Sequence, residues 1–87
     1  MHEASLMRDL MRKIDELAKT ERASKVTSVH VWLGALSHMS ADHFREHFEQ
    51  SSEGSIAHGA LLEIEESADA GDPHAQDLLL LSIDVET

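Results

Sequence analysis

Met1-His2-Glu3, the first three residues of this 87-residue chain, put four nitrogen donors within reach of one ion. The α-amine of Met1, the amide nitrogen and imidazole of His2 and the amide nitrogen of Glu3 can close fused chelate rings in a plane. Four coplanar nitrogens suit Ni(II) or Cu(II), which favour square-planar or tetragonal geometry, over tetrahedral Zn(II). Loading such a site displaces protons from amine, amides and imidazole, so affinity is expected to collapse at acid pH. A histidine at position 2 needs no special reason, and on chelation chemistry alone an ordinary N-terminus remains the alternative.

Six further histidines need weighing. His43 and His47, in "HFREH", match the H-x-x-E-H pattern of inverted zinc peptidases, with Glu46 in the place of a general base. Two histidines at i,i+4 on a helix can chelate a metal. A peptidase also needs a rigid third ligand and a cleft, which a chain this short is not expected to supply. Metal capture by the pair, or a merely solvated face, is the better expectation. His30 and Trp32 share one face of a strand, where they read either as a partner contact or as packing under a loop or second subunit. His38, His58 and His74 fall in loops.

Reaction chemistry finds little support. The four glycines (34, 54, 59, 71) are scattered, so there is no phosphate-cradling loop. Glu65 and Glu66 are adjacent and point to opposite faces of a strand, which disfavours a carboxylate pair. There is no cysteine, hence no disulfide, thiolate site or cysteine nucleophile. An enzyme is not expected.

Charge is lopsided. All seven Lys and Arg lie between Arg8 and Arg45, while residues 51–87 hold nine acids and no base. An anionic polymer or membrane surface would be repelled by that half, so neither nucleic acid nor membrane is expected as a partner. No apolar run reaches membrane-span length and the first residues do not read as a signal peptide, so a cytoplasmic location is expected.

The elements that must position these residues read as α-β-α-β-β. Residues 3–20 carry Leu6, Met7, Leu10, Met11, Ile14, Leu17 and Ala18 on one side of a helix. Arg8, Asp9, Arg12, Lys13, Glu16 and Lys19 take the other side, with i,i+4 charge pairs among them. "KVTSVHVWL" (25–33) switches to period two, Val29, Val31 and Leu33 against Ser28, His30 and Trp32, and Gly34 ends it. Ser40 caps a second helix running to about Ser52, with Gly54 as its stop and Ala41, Phe44 and Phe48 as its thin apolar face. A second strand follows at 60–66, with Leu62 and Ile64 inward; 67–76 is a connection broken by Gly71 and Pro73. The last ten residues form a third strand with Leu81, Ile83 and Val85 inward. The fold class is therefore α/β in the broad sense (α+β), one domain over 1–87, with two helices on one face of a three-stranded sheet. The other face would carry His30, Trp32, Glu63, Glu65, Asp84 and Glu86, and open sheet edges make a homodimer an expectation.

These positions together resemble HypA, the nickel metallochaperone family of nickel–iron hydrogenase maturation, which also serves urease in some bacteria. The resemblance rests on Met1-His2-Glu3 followed by Ser5-Leu6, and on "VTSV" at 26–29 leading to Gly34 and "LS" at 36–37. Phe44 and Phe48, "LEIEE" at 62–66 and "SIDVE" at 82–86 complete it. It implies a nickel-binding domain of two helices on a three-stranded sheet, with Met1, His2 and Glu3 holding Ni(II) through the His2 side chain and nearby backbone nitrogens. It implies as partners a HypB-like GTPase and the hydrogenase large subunit.

One departure is large. Members of the family insert a zinc ribbon with two Cys-x-x-Cys pairs between the second and third strands, where this chain has only "SADAGDPHAQD". Structural zinc is not expected, and docking through a ribbon is put in doubt. Ala35 also stands where the family often has an acid. The domain is still expected to fold, because a ten-residue connection can join antiparallel neighbours. A protein-interaction module that kept the fold and lost metal delivery is the alternative, with Trp32 and the acidic half as its contact surface. A further ligand such as His74 is left open.

Overall fold

The computed structural model describes the backbone from His2 to Thr87 and the side chains from Ala4 onward. The order is α1 (His2–Thr20), β1 (Lys25–Leu33), α2 (Ala41–Ser51), β2 (Leu61–Glu66) and β3 (Leu78–Glu86). This is the α-β-α-β-β arrangement expected from periodicity. Met7, Leu10, Ile14 and Ala18, at helical spacing on α1, are all buried. Phe44 and Phe48 do the same one turn apart on α2 and meet each other at 6.0 Å between ring centroids. Both helices close over one face of the sheet, onto Val26, Val29, Val31, Leu33, Leu62 and Leu78.

Local chemistry sets the helix ends. The Ser40 hydroxyl accepts a hydrogen bond from the His43 amide, an N-cap of the usual kind. Glu66 reaches the same end of α2, where its carboxylate accepts from the Ala41 amide at 3.1 Å. Glu65, its neighbour, points to the other face and meets His30, so the two carboxylates are indeed separated. On the wet side of α1, Arg12 bonds Asp9 at 2.8 Å and Glu16 at 3.4 Å, and Lys19 pairs with Asp15. The Arg12 hydrogen bond and charge hold the Asp9 carboxyl below its ordinary range. That contribution is present above the ordinary carboxylate pKa and is lost as pH falls through the lowered value.

Sheet order departs from the simplest expectation. The strands run β2-β1-β3, with β1 parallel to β2 and antiparallel to β3. β2 and β3 are therefore not neighbours, and residues 67–77 do not make a hairpin. They pass over the C-terminal end of β1 from one edge to the other. A parallel β1–β2 pair needs a crossover, and α2 supplies it.

Two bulges explain where period two fails. Thr27 is an extra residue on β1, between the pairs Val26↔Val85 and Ser28↔Asp84, so Val26 turns inward together with Val29 although they are three apart. Leu81 is an extra residue on β3, between Val31↔Leu80 and His30↔Ser82. The expectation that Leu81 faces inward is therefore corrected: it is 46 % exposed, while Leu78 and Leu80 on one side of the bulge, and Ile83 and Val85 on the other, face the core. A bulge is a property of paired strands, and one strand's pattern does not carry it.

The crossover lies so close to β1 that only glycine fits beneath it. A Cβ on Gly34 would stand 2.2 Å from the Ala75 carbonyl oxygen and 2.6 Å from that of His74, both backbone atoms. The Gly34 amide donates to Asp77, the Leu36 amide to Ala75 and the Ser67 amide to Leu33. Gly34→Ala must push this segment away, at a cost of about 1–3 kcal/mol by analogy with overpacking. Gly71→Ala, whose Cβ would meet only the Asp69 side chain at 3.3 Å, is the control. Urea denaturation is expected to show a clear drop in midpoint for the first and little change for the second.

Candidate metal centre

Met1 and the side chains of His2 and Glu3, the expected nickel ligands, lie outside the described residues. What is described is the frame that carries them. α1 begins at His2, so the amides of His2 and Glu3 belong to the first four N–H groups of the helix, which have no acceptor within it. Nitrogens that deeper in a helix would be committed to its hydrogen bonds are free for other chemistry here. The buried side of α1, from Met7 to Ala18, fixes this end against the sheet and α2.

Two surface grooves flank the first turns of α1. One holds Ala4, Met7, Arg8 and Met11 of α1 with His47 and Ser51 of α2. The other places Leu6 beside Leu36, Ser37 and His38 of the β1–α2 loop and Gln76 and Asp77 of the crossover. The crossover is ordered by its own side chains: Ser67 accepts from the Asp69 amide, Asp69 from Gly71, and Asp72 from His74. His74 Nδ1 meets Asp77 Oδ2 at 2.8 Å, so His74 is held in an ion-pair geometry within the loop. His38 has a left-handed backbone, with φ of 62°.

The remaining expected residues divide into two further groups. His43 and His47 stand one turn apart on α2 with stacked rings and their Nε2 atoms 2.8 Å apart. Phe44 and Phe48 take the buried side of α2, so the pair occupies its flank as expected. His30 and Trp32 lie on the outer face of the sheet, where His30 Nε2 meets Glu65 Oε1 at 2.9 Å. Trp32 is half-buried there, in register with Glu65 on one side and Leu79 on the other. Among the described residues, no group of three or more His, Asp or Glu side chains is placed to hold a metal ion.

Ser37 enters the sequence reading only within the "LS" match at 36–37, with no role attached to it. Its hydroxyl is buried and has no hydrogen-bond partner among the described residues, in the groove beside Leu6. Asp77, the partner of His74, was missed for the same reason: both lie in aperiodic segments, and only the fold brings them to the end of α1. Among the described residues, no helix is long and apolar enough to cross a membrane.

A small α+β domain of this topology is shared with solved structures. The solution structure of the Ni metallochaperone HypA from Helicobacter pylori aligns with a TM-score of 0.77 at 22 % identity, covering 94 % of this chain and 95 % of that one. A second solution structure, of HypA protein, aligns with a TM-score of 0.74 at 24 % identity, covering 98 % and 96 %. The family model for hydrogenase/urease nickel incorporation, metallochaperone, HypA matches residues 1–71. The family that this model describes is one of nickel metallochaperones. The chain belongs to the HypA family. Hydrogenase maturation factor HypA of Dechloromonas aromatica is 39 % identical over 64 residues, which are 74 % of this chain and 57 % of that protein. The factor from Rhizobium leguminosarum bv. viciae is 37 % identical over 71 residues, or 82 % and 63 %. The factor from Archaeoglobus fulgidus is 39 % identical over 64 residues, or 74 % and 58 %. The chain therefore spans about three fifths of the length of these curated relatives.

The unpartnered Ser37 hydroxyl gives a direct check on this end of the molecule. A buried polar group without a partner costs about 1–3 kcal/mol of desolvation, so Ser37→Ala is expected to hold or raise the urea midpoint. A fall would mean that the hydroxyl is bonded in solution.

Proposed function

We propose that this chain binds Ni(II) at its N-terminus and delivers it to the maturation of a hydrogenase or urease. The ligands are the Met1 amine, the His2 amide and imidazole nitrogens and the Glu3 amide nitrogen. The observation that carries this is Met-His-Glu at positions 1–3, inside the segment that matches the family of nickel incorporation. The helix start supports it, because the His2 and Glu3 amides have no acceptor within α1. Partners on this reading are a HypB-like GTPase and the hydrogenase large subunit, met in the cytoplasm. The zinc ribbon's thiolates have no counterpart in this sequence, which has no cysteine, so nickel capture is assigned to the α+β domain alone.

A second reading, a module that binds partners without delivering metal, draws on the open sheet face. Leu61 and Leu81 are 66 % and 46 % exposed there, on an acidic surface. The same edges favour a homodimer.

Untagged protein at pH 7.5 is expected to take up Ni(II) with the absorption of a diamagnetic, square-planar complex, and His2→Ala is expected to lack that band. Adding residues before Met1 should abolish it too, since the amine is then gone. Because protons must leave the amine, amides and imidazole, the band should fade on acidification. A wild type without the band overturns the nickel reading. Hydrogenase maturation unchanged by His2→Ala would favour the interaction module.

A further inference from the structure

We propose that the outer face of the sheet docks a basic segment of a partner protein, one that sets a large apolar side chain beside Trp32 and lysines or arginines around it. The proposal names an occupant for the open face already considered as a contact surface, and it holds with or without metal delivery. Both helices pack on the opposite face, and no helix or strand among the described residues lies over this one. The registers set Trp32 between Glu65 on β2 and Leu79 on β3. Trp32 is only half-buried, and Leu81, turned outward by the bulge on the same strand as Leu79, is 46 % exposed. An aromatic ring and two leucines left open together form an apolar corner of the kind that a partner's anchor side chain fills.

Charge identifies the occupant. Around that corner the face carries Glu63, Glu65, Asp84 and Glu86, while Lys25, the one Lys or Arg in the three strands, stands opposite Glu86 in register. Asp84 accepts from the neutral Ser28 hydroxyl at 2.6 Å, and Glu63 has no ion pair among the described residues, so both keep their charge for a partner. A second copy laid face to face would set these carboxylates against one another, and an anionic polymer would be repelled in the same way. Lysines and arginines instead gain attraction at the rim, and one placed over the Trp32 ring adds a cation–π contact. The acids choose the partner and the apolar corner holds it.

Trp32 is the only tryptophan and the chain has no tyrosine, so its emission reports on this face without a label. The full chain, free of nickel, is titrated at low salt with a synthetic peptide whose leucine–phenylalanine centre is flanked by lysines. Trp32 emission is expected to shift to the blue and saturate, and the same peptide with glutamates in place of the lysines is expected to leave it unmoved. A peptide with serines at its centre should bind about tenfold more weakly, since burying one large apolar side chain is worth about that much. Glu63→Lys is expected to weaken binding about twofold to fivefold, the worth of one rim ion pair. Glu53→Lys changes net charge equally but lies in the groove beside α2, on the other side, and is expected to bind as the wild type does. Leu81→Ser is expected to weaken binding and keep the circular dichroism of the fold; should it fail to fold, the paired charge variants decide. Emission that the lysine peptide does not move, or equal weakening by Glu63→Lys and Glu53→Lys, overturns the proposal. So does a self-associated protein whose covered Trp32 the peptide cannot reach. His2→Ala is expected to bind the peptide as the wild type does, so a failure of the nickel reading is told apart from a failure here.

Discussion

Burial of β1 is the constraint from which the rest of the structure follows. It is the middle strand, hydrogen-bonded on both sides, and Val26, Val29, Val31 and Leu33 are all but fully buried beneath the two helices. At about 25 cal/mol per Å² of apolar surface, these four side chains and the two phenylalanines above them supply much of what a chain this short can gather. A strand buried in this way cannot slip by one residue without sending its apolar set to the wet face. Every other element is placed relative to it. α2 is the crossover that brings β2 parallel to it, β3 returns antiparallel on its other edge, and α1 lies over the sheet.

The end of β1 matters as much as its middle. Gly34 lets the 67–77 segment lie against the strand, and three backbone hydrogen bonds tie the two together. That contact brings Gln76 and Asp77 to the side of Leu6 and so to the start of α1. α2 brings His47 to the other side. The N-terminus of a short chain is ordinarily frayed. Here its first turns rise from a helix whose inner side is locked into the core, between a loop and a second helix. A chelate of the kind proposed, built from the terminal amine and the first amides, would gain from such a base, because fewer motions must be frozen when an ion binds. The same placement sets His47 in the groove beside the first turns of α1, on a helix already needed for packing.

The outer face of the sheet is organised differently. His30 meets Glu65 and Ser28 meets Asp84 across neighbouring strands, which ties a predominantly acidic surface together laterally. The Leu81 bulge turns a leucine outward on the edge strand, and Leu61 is exposed on the opposite edge. Acidic side chains on an open sheet discourage copies from pairing edge to edge, while exposed leucines favour contact. The two tendencies meet on one surface.

Sequence alone determined the elements. Periods of 3.6 and 2, the Ser40 cap and the Gly34 stop placed five elements within about a residue, since each signal is local and acts through adjacent backbone. Met1-His2-Glu3 can be proposed as a chelate from sequence for the same reason: its donors are consecutive along the chain. The i,i+4 spacing of His43 and His47 likewise announced a pair on one helix face. Only the tertiary structure decided the strand order β2-β1-β3, the turning of Val26 inward and Leu81 outward, and the gathering of Ser37, Asp77 and His47 around the start of α1. Those features depend on which strands pair and in what register. Pairing is settled by burying the apolar face of the whole sheet at once, a condition that no single stretch of residues contains.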